Sequence, residues 1–265
     1  MGILTPVILV NYFEENAEGL YSMYFKLLAC ETFTREICAC MDGLPHAVDL
    51  EFTAIDSHDQ PEKLRKSLQE KIDAADASGR SYDAILLCYG LCGNATAGLV
   101  ARATRLVIPR AHDCCTILLG SRKLFRQHFE ECPSQSFSSR GHMERSTDGH
   151  VHHAWMLAPD GRRALLARIY GEENADLLAQ VMAGPDTGRQ VYVNVGPTHS
   201  SECILAFREK AAAEKKDAVV LEGSLSLVHN LMLGNWYPED FLVVYPGRTI
   251  SGVYDWDRIL EVKEV

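Results

Sequence analysis

Two short stretches of this 265-residue chain bring thiols to places where chemistry is done. "YGLCGN" (89–94) follows the apolar run "AILLC", and "PRAHDCC" (109–115) completes the run that begins "RLVI". A third thiol, Cys30, closes "YFKLLAC" and is followed by Glu31. Free cysteine is among the most buried residue types, so thiols gathered at the ends of apolar runs raise the question of ligation. His112 and Cys114 are two residues apart, and in extended backbone they point the same way. Cys30, Cys92, His112 and Cys114 form a donor set suited to tetrahedral zinc, with a position left for substrate if one ligand is absent. Three cysteines and an open position suit an iron–sulfur cluster equally. The competing reading is packing, with Cys30, Cys88 and Cys115 in the core and Cys92 under a turn. Nine cysteines, an odd number, is a high count for a chain of this size. If the chain is cytoplasmic, disulfides do not explain it, and metal binding or thiol chemistry gains weight.

Other polar groups cluster at the same kind of position. Gly90, Gly93 and Asn94 are candidate cofactor-binding residues, because glycine lets backbone N–H groups approach an anion. A helix over "ATAGLVARA" (95–103) would add partial positive charge there. Arg110 at the next strand tip would orient an anionic group. The pattern is neither a Walker loop nor G-x-G-x-x-G, and a tight turn explains the glycines as well. Further on, "NVGPTHSSE", "LEGSLS" and "YPGRT" place His199, Glu222 and Arg248 after apolar runs. Glu31 and Glu222 are candidates for proton transfer, Glu222 with helix capping as its competing role. Cys38 and Cys40 are expected in a helix core and Cys203 in packing. His142, His150, His152 and His153 are expected in solvent, and His229 packed within a helix.

The elements that must position these residues follow from period and punctuation. The runs at 24–30, 48–55, 82–90, 105–110, 190–196, 217–223 and 240–247 are short and rich in Val, Ile and Leu, as strands buried on both faces are. Helical patterns separate them, including "PEKLRKSLQEKIDAAD", "DCCTILLGSRKLFRQHFEEC", "SECILAFREKAAAEKK" and "SLSLVHNLMLGN". Ser57 or Asp59, Asp113 and Ser224 stand where N-caps belong. This alternation predicts an α/β fold with a mainly parallel, doubly wound sheet, flavodoxin- or Rossmann-like. It reads as one domain, with 24–132 and 186–256 as candidate lobes. The functional pole of such a sheet is its strand C-terminal ends. The polar, histidine-bearing stretch 133–160 is expected to be an irregular insertion that covers that pole.

Composition narrows the partners. With a net charge of -10 and no basic stripe, a nucleic-acid partner is not expected. No run reaches the length of a membrane span. The opening "MGILTPVILVNYFEEN" has no basic leader or cleavage site, which predicts a cytoplasmic protein; the expected partner is a small-molecule substrate.

The stretches "LLACETFTREI", "YDAILLCYGLCGNATAGL", "RLVIPRAHDCCTILLGSR" and "AVVLEGSLSLVHNLMLGNW" resemble the domain-of-unknown-function family 1638 over most of residues 24–256. By that resemblance Cys30, Glu31, Cys92, His112 and Cys114 occupy motif positions. The resemblance also implies a setting in anaerobes, beside corrinoid-dependent methylamine methyltransferases. The expectation is a metal-dependent enzyme of one-carbon or methylamine metabolism, with methyl transfer as its candidate reaction and zinc or an iron–sulfur cluster as its cofactor. The alternative is a non-catalytic accessory protein that holds a metal, cluster or corrinoid for a methyltransferase or corrinoid-protein partner. The corrinoid-ligating motif D-x-H-x-x-G is absent, which weighs against direct base-off corrinoid binding.

Overall fold

The run "AILLC" (β3, Ala84–Cys88) is buried at every residue, as a strand covered on both faces must be. It lies between β1 (Tyr24–Cys30) and β4 (Leu106–Pro109), in a sheet ordered β2-β1-β3-β4-β8. Here β2 is Ala47–Thr53 and β8 is Phe241–Val244; the first four strands are parallel and β8 runs against β4. The computed structural model describes residues 22–55, 61–132, 135–145, 188–253 and 255–265, with residues 167, 171 and 172 besides. The predicted α/β fold with a mainly parallel, doubly wound sheet is the one observed.

Helices α1 (Thr34–Met41), α2 (Pro61–Ala77), α3 (Cys114–Leu119) and α4 (Arg122–Phe129) belong to this half. Leu64, Leu68 and Ile72 bury the inner face of α2 at the spacing of an amphipathic helix. A second sheet follows, parallel and ordered β5-β6-β7: Phe137–Ser139, Arg189–Val195 and Asp217–Gly223. Helices α5 (Arg140–Arg145) and α6 (Ser201–Ala213) pack on it, as does α3, whereas α7 (Ser226–Leu233) returns to β3 and β4 of the first sheet. A hairpin of β9 (Arg248–Gly252) and β10 (Leu260–Glu264) closes the chain. The described strands of 186–256 therefore belong to three sheets, β6 and β7 to the second, β8 to the first and β9 to the hairpin.

The structure corrects several local expectations. The helical pattern over 113–132 is two helices, since Gly120 adopts φ 72 and Ser121 then caps α4 through Leu124 N–H. "ATAGLVARA" forms turns and no helix. The stretch 133–160 is not irregular throughout: residues 137–145 are β5 and α5, while 133–134 and 146–160 lie outside the described residues. Asp113 caps α3 as expected, but α7 is preceded by Leu225 with no side-chain cap; Ser57 and Asp59 lie outside the described residues. Among the described residues no helix is long and apolar enough to cross a membrane.

The two sheets are pinned together through a buried carboxyl. Thr198, in the turn after β6, donates its hydroxyl to Glu36 Oε1 of α1 at 2.8 Å. Glu36 is 1% exposed and its Oε2 has no partner among the described residues. Burial raises its pKa, against the lowering effect of Thr198. The folded state then binds the proton more tightly than the unfolded chain. Glu36 favours folding at low pH, and that contribution is lost as pH rises through the raised pKa. Glu36→Gln keeps an acceptor for Thr198 and removes the titration. The urea midpoint of the variant should decline less with rising pH than that of the parent across this window. Parallel midpoint–pH curves would refute it.

Candidate functional site

Strand order reverses between β1 and β3, since the chain leaves β1 for β2 on one side and returns on the other. Such a switch point is where open α/β sheets leave a crevice beyond the strand ends. Cys30 ends β1, Cys92 follows β3, and Cys114 follows β4, so the three thiols belong to neighbouring strands at one pole.

The two cysteine-bearing tips meet through their backbones. Leu91 N–H donates to Ala111 C=O at 2.8 Å, and Cys92 N–H donates to His112 C=O at 2.9 Å. Gly90 permits this approach, because a Cβ there would stand 2.6 Å from Asp113 N and 2.8 Å from Ala111 O. Beyond it, Cys92, Gly93 and Asn94 have φ of 47°, 63° and 70°. Three consecutive left-handed residues, two of them carrying side chains, are costly at about 1–2 kcal/mol per non-glycine residue. Thr96 Oγ1–H donates to Gly90 C=O at 3.0 Å, and Arg65 Nη2 donates to Asn94 C=O at 2.8 Å, which hold the turn. Gly90, Gly93 and Asn94 thus shape the tip that carries Cys92. The helix N-terminus expected to help them cradle an anion is not there.

Cys114 opens α3 behind its cap Asp113, whose Oδ1 accepts from Thr116 N–H at 3.1 Å. Its sulfur lies 3.6 Å from His142 Nε2. His142 Nδ1 is 2.7 Å from Ser139 Oγ. With Nδ1–H donating to Ser139, the Nε2 lone pair faces the thiol. His142 is 1% exposed, so the expectation of a solvated side chain was wrong. Gly141 is what brings it in: a Cβ there would lie 1.8 Å from Thr32 C=O, just past the tip of β1. The sequence reading missed His142 and Ser139 because "SSRGHMER" is polar and looks like loop. A glycine directly before a histidine was the one available signal.

Burial sets the electrostatics. It raises the pKa of Cys30, with Thr32 opposing, and raises those of Cys92 and Cys114 well above the ordinary thiol range. Asp113 adds to the effect on Cys92 and Cys114, and the Cys30 and Cys92 thiols act on Cys114 as well. Asp113 is itself pushed up to about 6 by burial. Burial thus favours the neutral form of all three thiols.

The remaining predicted residues do not join this group. His112 packs against Phe125 and Trp256, with ring centroids 5.4 and 5.1 Å away. Its Nε2 is buried without a partner among the described residues, burial lowers its pKa, and the charges acting on it are Asp255 and Arg122. The reason is local: extended backbone ends at Asp113, and Cys114 is already helical, so the two side chains do not share a direction. Arg110 donates to Pro238 C=O and Arg258 C=O, both at 2.8 Å, and to Leu260 C=O. It ties the strand tip to the C-terminal hairpin. Glu31 accepts from Ile55 N–H at 2.8 Å, and its other oxygen is 3.8 Å from Arg145. Glu222 is in the second sheet, bonded to Asn194. Cys38 is exposed, against expectation, whereas Cys40, Cys88 and Cys115 are buried. His150, His152 and His153 lie outside the described residues. Among the described residues, no three Cys, His, Asp or Glu side chains are grouped closely enough to hold a metal ion.

Residues 52–232 match the family described as "Protein of unknown function (DUF1638)", and the chain belongs to that family. No curated protein and no solved structure matches the chain.

Proposed function

We propose that this member of the DUF1638 family is a metal-dependent enzyme of methylamine-linked one-carbon metabolism. In this reading a soft ion, zinc in the first instance, sits at the switch point of the first sheet. The observation that carries the proposal is the 3.6 Å between Cys114 Sγ and His142 Nε2. With zinc–sulfur near 2.3 Å and zinc–nitrogen at 2.0–2.1 Å, two tetrahedral ligands stand about 3.5 Å apart. Ser139 on the far nitrogen of His142 is the kind of outer partner that fixes a ligating imidazole. Cys30 and Cys92 lie on the adjoining strand tips. The grouping of described residues stops short of a three-donor cage, so the pair Cys114–His142 is the anchor of the argument.

When bound, such an ion supplies Lewis acidity and holds thiols as thiolates. The chain's own part is to aim His142 through Ser139 and to exclude water around the buried Cys114. Because ligand protons must leave, zinc affinity should rise with pH, up to about tenfold per unit for each proton displaced.

Protein purified without oxygen should contain zinc, or show the absorption band near about 400 nm of an iron–sulfur cluster. Cys114→Ser and His142→Ala should each lose most of the metal, while His112→Ala and Cys38→Ser retain it. Full retention in both of the first two variants would overturn the site. Bound metal without methyl transfer from any methylated amine would reject the enzyme and favour an accessory metal carrier.

A further inference from the structure

The second sheet carries a separate chain of polar contacts at its strand ends, independent of the thiol pole. The register of β6 and β7 places Asn194 opposite Glu222. Asn194 Nδ2 lies 3.2 and 3.0 Å from the two carboxylate oxygens of Glu222. Asn194 Oδ1 is 2.9 Å from His199 Nδ1, and His199 Nε2 is 3.0 Å from Ser201 Oγ.

The directions of the Glu222–Asn194 and Asn194–His199 hydrogen bonds follow from one end. A carboxylate only accepts, so the nitrogen of the Asn194 amide must face Glu222 and its oxygen must face His199. An amide oxygen also only accepts, so His199 Nδ1 carries the proton. In the Nδ1–H tautomer, Nε2 is the acceptor for Ser201 Oγ–H. This is the order of an activated serine: nucleophile, base, and a third group that holds the base in the right tautomer. Asn194 is buried, whereas His199, Ser201 and Glu222 are exposed, so the orienting group is fixed and the reacting ones are reachable. Helix capping does not account for Ser201, because Ser200 is the cap of α6, accepting from Cys203 N–H.

We propose that Ser201 is a nucleophile for acyl transfer, with His199 as its base and Asn194 and Glu222 as positioning residues. The substrate class is an ester or thioester. Ser201 Oγ bonds to the acyl carbon while the bond to the leaving alcohol or thiol breaks, and the hydroxyl proton passes through His199 Nε2 to that leaving group. Water then adds to the acyl-enzyme, giving its proton to His199, and the acid departs as the proton returns to Ser201.

The test uses the full chain with a fluorophosphonate probe and with p-nitrophenyl acetate. Peptide mapping should place a single adduct on Ser201. Ser201→Ala should abolish it, and His199→Ala should slow labelling at least 100-fold. Glu222→Ala should slow it about 10-fold with melting temperature retained, a split that a merely structural role would not produce. Ser200→Ala should label at the parental rate, and so should protein stripped of metal with a chelator. An adduct on another residue, equal rates for the parent and Ser201→Ala, or no adduct after prolonged exposure at millimolar probe would each overturn the assignment.

Discussion

Gly141→Ala should destabilise the protein by about 3 kcal/mol or more, although alanine is the better helix former by about 1 kcal/mol. Gly141 lies in α5, and an added Cβ would stand 1.8 Å from the Thr32 carbonyl oxygen and 2.8 Å from its carbon. Those are backbone atoms in the turn after β1, so no side-chain rotation relieves the overlap. Either α5 moves away or the turn does, and both separate His142 from Cys114. The sign decides the matter: propensity alone raises the melting temperature, and the clash lowers it. For a chain of this size the loss corresponds to a fall of about 6–12 °C. Gly196→Ala is the control, because nothing lies within 4 Å of its Cβ position. It should stay within about 0.5 kcal/mol of the parent. An unchanged melting temperature in the Gly141 variant would show that α5 does not rest on the β1 tip, and the His142–Cys114 pair would go with it.

Gly90→Ala should be of similar size, about 3 kcal/mol, for a different reason. The new methyl would meet Asp113 N at 2.6 Å and Ala111 O and Asp113 Cα at 2.8 Å. To admit it the two strand tips must part, which breaks Leu91 N–H to Ala111 C=O and Cys92 N–H to His112 C=O. Thiol accessibility reports that event directly. In the parent, the exposed Cys38 should react with an aromatic disulfide reagent at once, and the buried Cys30 and Cys114 slowly. In Gly90→Ala, Cys92 and Cys114 should enter the fast phase under native conditions. Unaltered modification kinetics together with an unchanged urea midpoint would mean that the tips do not depend on Gly90.

The strands of the first sheet, and the pole on which the cysteines lie, were legible in composition and period. Burial on both faces demands apolar runs, and "AILLC" carries that demand unbroken while "YFKLLAC" carries it but for Lys26. The N-cap at Asp113 was legible for the same reason, since capping is a contact between near neighbours in the chain. Tertiary structure alone decided which histidine meets the thiols. His112 looked right because extended backbone would aim it with Cys114, but α3 begins at Cys114 and turns the thiol away. His142 comes from a polar segment whose place depends on Gly141 fitting against Thr32, a long-range contact with no local periodicity to announce it. The Ser201 relay divides in the same way. His199 and Ser201 are neighbours in sequence, whereas Asn194 meets Glu222 only through the register of β6 and β7. Local physics wrote the elements, and the packing of backbone on backbone chose their partners.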